Sequence, residues 1–128
     1  MKELENQAYF WQKIDTLYLS SDFILTNDKG SKVKDYELVY PCDYGYLRIL
    51  RKDKEKELLC FKGSGSGSVD EIVVVANIID KTIDVRLLIG CNEEEIEAIL
   101  RFLNSMDQQK AILIRRTDET PAWAMSEE

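Results

Sequence analysis

Three kinds of residue in this chain have the chemistry for a site: thiols, a glycine-rich loop and a row of carboxylates. The thiols are Cys42, Cys60 and Cys91. Zinc sites and disulfide frameworks use paired, short spacings, so an odd count without them points to neither and leaves buried free thiols as the simplest expectation. The loop is GSGSGS, residues 63–68. Such a loop wraps a phosphate with its backbone N–H groups when it runs from a strand into the start of a helix. Here a second strand pattern follows, so it is read as a linker or hairpin loop with no side chains to pack. It should lack regular structure and be cheap to shorten, because loop-closure entropy changes slowly with length. The carboxylates are Glu93, Glu94 and Glu95, directly after Asn92. Asn92 as a helix cap, Glu95 as the capping-box partner and all three acids at the positive end of a helix dipole explain them without a metal.

These residues need a frame, and the composition allows one. The chain has 128 residues, 45% of them hydrophobic and 32% charged, which suits one globular domain and excludes the disordered class. A net charge of −7 opposes binding to phosphate backbones, so no nucleic-acid partner is expected. The charge is uneven. Residues 29–62 hold nine Lys or Arg against six acids, so that segment is +3 and the remainder carries −10. MKELENQAYF at the start has no signal-type apolar run, and IVVVANII and RLLIGC are far short of a membrane span. A cytoplasmic location is expected, with no membrane partner.

Residues 3–19 place Leu4, Ala8, Trp11, Ile14 and Tyr18 three or four apart, the spacing of an amphipathic helix, and Ser20-Ser21-Asp22 ends it. DFILT, YELVYP, YGYLRIL and LLCFK are short strand-like runs, and RKDKEKE before the last is read as an exposed charged turn. EIVVVANII and TIDVRLLIG make an antiparallel pair about Asp80-Lys81. Ile96, Ile99, Leu100 and Leu103 give the helix after Asn92 its apolar face, and AILIRR is a last strand. Residues 117–128 read as a mobile acidic tail whose one large apolar group, Trp123, docks on the domain or on a partner. The expected organisation is a single domain over 1–116, an N-terminal helix at 1–20 and a small barrel or strongly curved sheet plus helix at 21–116, of α+β class.

The string YPCDYGYL at residues 40–47 resembles the YP-x-x-YGY core of soluble inorganic pyrophosphatases. DKGS before it, GS at 63–64, LLIGCNEEEIEAIL and AILIRR extend the resemblance to a short bacterial branch of that family, over roughly residues 20–116. The resemblance implies an OB-like five-stranded barrel with peripheral N- and C-terminal helices and, in active members, a Mg²⁺ cluster that activates water and neutralises pyrophosphate. Those ions need several carboxylates facing one cavity. The family supplies them with an Asp-x-Asp-x-x-Asp string after the YGY strand. With GS at 63–64 aligned, the three positions fall on Lys54, Lys56 and Leu59, and an upstream acidic and basic pair falls on Thr26 and Asn27. The family's Asp-x-Lys pair corresponds to Asp84-x-Arg86, Lys29 to the KGS lysine, and Tyr44 and Tyr46 to the site tyrosines. The two tyrosines line a pocket or simply pack the barrel. A one-residue slip in the alignment would instead bring Asp53, Glu55 and Glu57 forward as substitute ligands, each beside a lysine.

Exchanging carboxylates for lysines turns a cation-binding cavity into an anion-attracting one. The expected function is therefore a catalytically inactive, pyrophosphatase-like module of regulatory or immunity type. It would bind a phosphate-type anion or a protein partner. Lys29, Tyr44, Tyr46, Arg48, Lys54, Lys56, Asp84 and Arg86 are its candidate site residues. No cofactor is expected. The alternative is a Mg²⁺-dependent inorganic pyrophosphatase or phosphohydrolase with displaced ligands, Asp84 among them, and a third class is a structural or assembly role that needs no pocket.

Overall fold

The structure, a computed structural model, describes residues 8–51 and 54–116, the side chains of 49–56 apart. Leu4, Asp53 and the tail with Trp123 lie outside the described residues. In chain order the elements are α1 (Ala8–Leu19), β1 (Asp22–Asn27), β2 (Asp43–Arg51), β3 (Lys54–Lys62), β4 (Val69–Asn77), β5 (Thr82–Ile89), α2 (Glu93–Asn104) and β6 (Gln109–Arg115). All six strands join one sheet in the order β1-β2-β3-β5-β4-β6. Every pair is antiparallel except β3 with β5. The class is α+β, as expected, but the sheet is open. The five neighbours β1-β2-β3-β5-β4 would close into a barrel if β1 met β4, and β6 occupies that edge of β4 instead.

Strand alternation gives the sheet two apolar faces, and each is covered by its own helix, so burial does not require closure. On one face Leu47, Cys60, Ile72, Leu87 and Ile89 pack with Trp11 and Ile14 of α1. Arg116, just past β6, fixes α1 there by two hydrogen bonds to the Asp15 carboxylate, 2.8 and 2.7 Å, with its guanidinium 6.0 Å from the Trp11 ring centre. On the other face Phe61, Val73, Val75 and Leu88 pack with Ile96, Ile99, Phe102 and Leu103 of α2. That helix starts as its sequence dictates: the Asn92 side chain accepts from Glu95 N, and the Glu95 carboxylate accepts from Asn92 N.

Two segments differ from expectation. YELVYP is not a strand, because residues 31–40 fold back on themselves through the Lys32–Val39 bridge, with Asp35 at φ 68° in the bend. Val33, Leu38 and Tyr40 then lie against the α2 cluster. The charged run is largely strand, since β3 begins at Lys54.

The glycine loop has no helix or strand, yet it is not a slack linker. Because β3 and β5 are parallel neighbours, the chain must cross the carboxyl end of β5 to reach β4. It does so backbone against backbone. Gly63 N donates to Ile89 O, Gly65 N to Gly90 O and Gly90 N to Ser68 O, each at 2.8 Å. A Cβ at Gly63 would lie 2.6 Å from Gly90 O and from the Glu95 carboxylate. Gly90 sits at φ +59°, and a Cβ there would come within 2.7 Å of Gly65 O. Gly90→Ala therefore combines a left-handed backbone with a backbone clash, and should lower the unfolding free energy by about 1–3 kcal/mol. Gly30, at φ +86° with open space around its Cβ direction, provides the control without the clash. Urea unfolding in which Gly90→Ala loses no more than Gly30→Ala would contradict this packing.

Candidate functional site

The strand pattern sets which candidate residues meet. Tyr44 pairs with Phe61 and shares its face, so its ring lies on the α2 side of the sheet, 4.8 Å from Phe61 and stacked 5.4 Å from Tyr40. Asp84 and Arg86 pair with Val75 and Val73 on β4, residues of the same α2-side cluster. These two and Tyr44 come together. The Arg86 guanidinium lies 5.8 Å from the Tyr44 ring centre, and Arg86 Nε donates to Asp84 Oδ1 at 3.2 Å. The Arg86 side chain is 17% exposed and that of Asp84 36%. Burial, opposed by Arg86, pushes the Tyr44 phenol above its ordinary value, so it stands as a neutral hydrogen-bonding group.

Tyr46 continues the same face of β2, paired with Ile24 and Leu59 and half-buried. Thr26, the position aligned with an acidic residue, spends its hydroxyl on Tyr44 O at 3.0 Å. Arg48 lies between Asp22 and Glu57 in the strand register. Lys54 and Lys56 pair with Arg51 and Ile49, out of phase with Phe61 and toward the far end of the β2–β3 ribbon. Lys56 lies five residues from Phe61, about 17 Å at strand rise.

Lys29 belongs to a second concavity. At the carboxyl ends of β3 and β5 a cavity of about 130 Å³ is lined by Lys29, Cys42, Asp43, Lys62, Gly63, Ser64 and Glu95. Asp43 Oδ1 accepts from Lys29 N at 2.9 Å, and Lys62 Nζ rests 5.4 Å from the Phe23 ring centre. The second Glu95 oxygen, left over from the capping box, accepts from Ser64 N at 3.0 Å. Burial alone would raise the Glu95 carboxyl. The hydrogen bonds from Asn92 and Ser64, helped by Lys29, outweigh it and hold the group below its ordinary value. Sequence reasoning missed Asp43, Lys62 and this second use of Glu95, because each depends on which strand ends adjoin.

Magnesium chemistry of the pyrophosphatase kind needs a set of convergent oxygen ligands. Among the described residues no group of three or more His, Cys, Asp or Glu is placed to hold a metal, and Asp84 is engaged by Arg86. The described residues do not fit that metal cluster. What they offer is donor chemistry: an arginine fork, a phenol and lysines.

A carboxylate held below its ordinary value in the folded state stabilises above its unfolded value, and that contribution is lost as pH falls through the folded value. Glu95→Gln should therefore be less stable than the wild type at pH 7, and the gap should close as the solution is taken well below the ordinary Glu value of 4.5. Denaturant midpoints across that range measure it, and a gap that stays constant would contradict the role of the ionised carboxylate.

Comparison with models of known protein families finds no match for this chain, and comparison with curated proteins finds none either.

Proposed function

We propose that this chain is a catalytically inactive, pyrophosphatase-like module that binds a phosphate-type anion at Arg86. One observation carries the reading. Arg86 is largely enclosed, its Nε is anchored on Asp84 and its plane is held near Tyr44. Among the described residues no carboxylate or carbonyl takes its terminal Nη groups. A guanidinium fixed in this way presents a preorganised fork, and a fork matches two oxygens of a phosphate better than a flexible ammonium does. Tyr44 and Tyr46 supply hydroxyls along the same face. In this reading the run β1-β2-β3-β5-β4 stands for the family's OB-like five-stranded barrel, opened where β6 was added. The Asp84-x-Arg86 pair persists while the three aspartates of the metal string do not.

The proposal expects pyrophosphate binding that needs no Mg²⁺, seen by titration calorimetry in the presence of EDTA. Arg86→Ala removes one or two charge-assisted hydrogen bonds, at about 1.5–3 kcal/mol each, and so should weaken binding at least tenfold. Arg86→Lys should not restore it. Undiminished binding by Arg86→Ala, or no binding by the wild type, would refute the assignment. Phosphate release with Mg²⁺ at about 1–1000 per second would instead establish the hydrolase alternative.

A further inference from the structure

The cover that α1 gives its face of the sheet stops partway along β4, β5 and β6. In the strand register Ile72 pairs with Leu87 and Ile114, and this row packs with Trp11 and Ile14. Two residues further along β4, and so on the same face, Val74 pairs with Val85 and Ile112. Two further again, Ala76 pairs with Ile83 and Lys110. Ile83, Val85 and Ile112 are left open to solvent, and Ile78 and Ile79 carry the apolar surface round the β4–β5 turn. These five side chains are 47–77% exposed. Together they leave on the order of 500 Å² of apolar surface, at the upper end for a monomer and close to what one partner gives a stable interface.

We propose that this face is the interface of a two-fold homodimer, in which the uncovered ends of two sheets pack face to face. Charge selects a second copy as the occupant. The two open rows contain one lysine, Lys110, and no carboxylate, although the chain carries a net charge of −7. They offer a charged partner little to pair with, and two copies meet there without the repulsion that their acidic surfaces exert elsewhere. Shape selects it too. Branched aliphatic side chains on a pleated surface interdigitate best with another such surface, the two sheets lying about 10 Å apart. A second copy presents that same surface, and a two-fold interface needs no other.

Pairing along the sheet edge is the competing way to dimerise, and Asn104 obstructs it. β6 is an outer strand, so its outward N–H and C=O groups are a template for a strand of another chain. At Ala111 both groups are already taken: Ala111 N donates to Asn104 Oδ1 at 2.9 Å, and Asn104 Nδ2 donates to Ala111 O at 3.4 Å. A strand laid along β6 would have to displace Asn104, whose Nδ2 also donates to Leu100 O at 2.9 Å. The face, not this edge, is what the structure leaves for a second copy.

Sedimentation of the full chain tests this, and a dimer at about 100 µM is the expected result. Ile83→Asp and Ile112→Asp each place a charge in the contact and should weaken the dimer at least about tenfold. Val39→Asp, at an exposed apolar position in the bend on the α2 side, should leave it unchanged. Isotope-filtered NOEs between copies, from the Ile83 and Ile112 methyl groups of the wild type, decide even if a variant fails to fold. A wild type that is monomeric at about 100 µM would overturn the proposal. So would a dimer that lacks these NOEs, or one that the folded Ile83→Asp and Ile112→Asp variants still form as tightly. NOEs to these methyl groups from residues 117–128 of the same chain, in a monomer, would assign the face to that segment instead.

Discussion

The chain leaving β3 cannot turn directly into β4, because β5, parallel to β3, lies between them. It has to cross the carboxyl end of β5, and it does so at backbone-to-backbone range. The three hydrogen bonds that join Gly63, Gly65 and Gly90 to the facing carbonyls replace the side-chain packing that a loop usually uses. Only glycine allows that approach at Gly63 and Gly90. The crossover also reaches the helix: one oxygen of Glu95 closes the capping box while the other holds Ser64 N. Loop, strand end and helix start are thereby one unit, and the position of α2 over the sheet follows from it.

From that unit the rest of the architecture is set by strand alternation. β5 sends Leu87 and Ile89 to the α1 side and Arg86 and Leu88 to the α2 side. Leu88 lies under α2, and Arg86, two residues earlier, reaches Tyr44 across the width of β3. The arginine is held by its neighbour Asp84 within its own strand, so its orientation costs the protein no second element. The same crossover sets Gly63 and Ser64 against Glu95 in the wall of the cavity that Lys29 and Lys62 line.

Local chemistry was legible in the sequence and long-range adjacency was not. The capping box at Asn92 and Glu95, the turn about Asp80-Lys81 and the apolar faces of β4 and β5 follow from short-range patterns, and the structure has each of them. YELVYP shows the limit of such patterns. Its alternation suits a strand, but Val33, Leu38 and Tyr40 gain more by covering the α2 cluster than by joining the sheet. AILIRR is the last strand that its pattern indicates, but the pattern does not show that it takes the edge of β4, and so it does not show that the sheet stays open. GSGSGS has the irregular form its composition indicates, but composition describes a loop in isolation and does not reveal the close backbone packing of Gly63 and Gly65 against Gly90. Tyr44, Asp84 and Arg86 could be suspected from the family resemblance, whereas the cavity of Lys29, Lys62 and Glu95 required the strand order.

Native-state hydrogen exchange tests the crossover most directly, because it reads the three backbone bonds one by one. The account predicts that the amides of Gly63, Gly65 and Gly90 are protected to an extent comparable with the central amides of β4 and β5, and that Glu95→Gln lowers the protection of Ser64 together with theirs. Exchange of these amides at the rate of an open loop, while β4 and β5 remain protected, would contradict it.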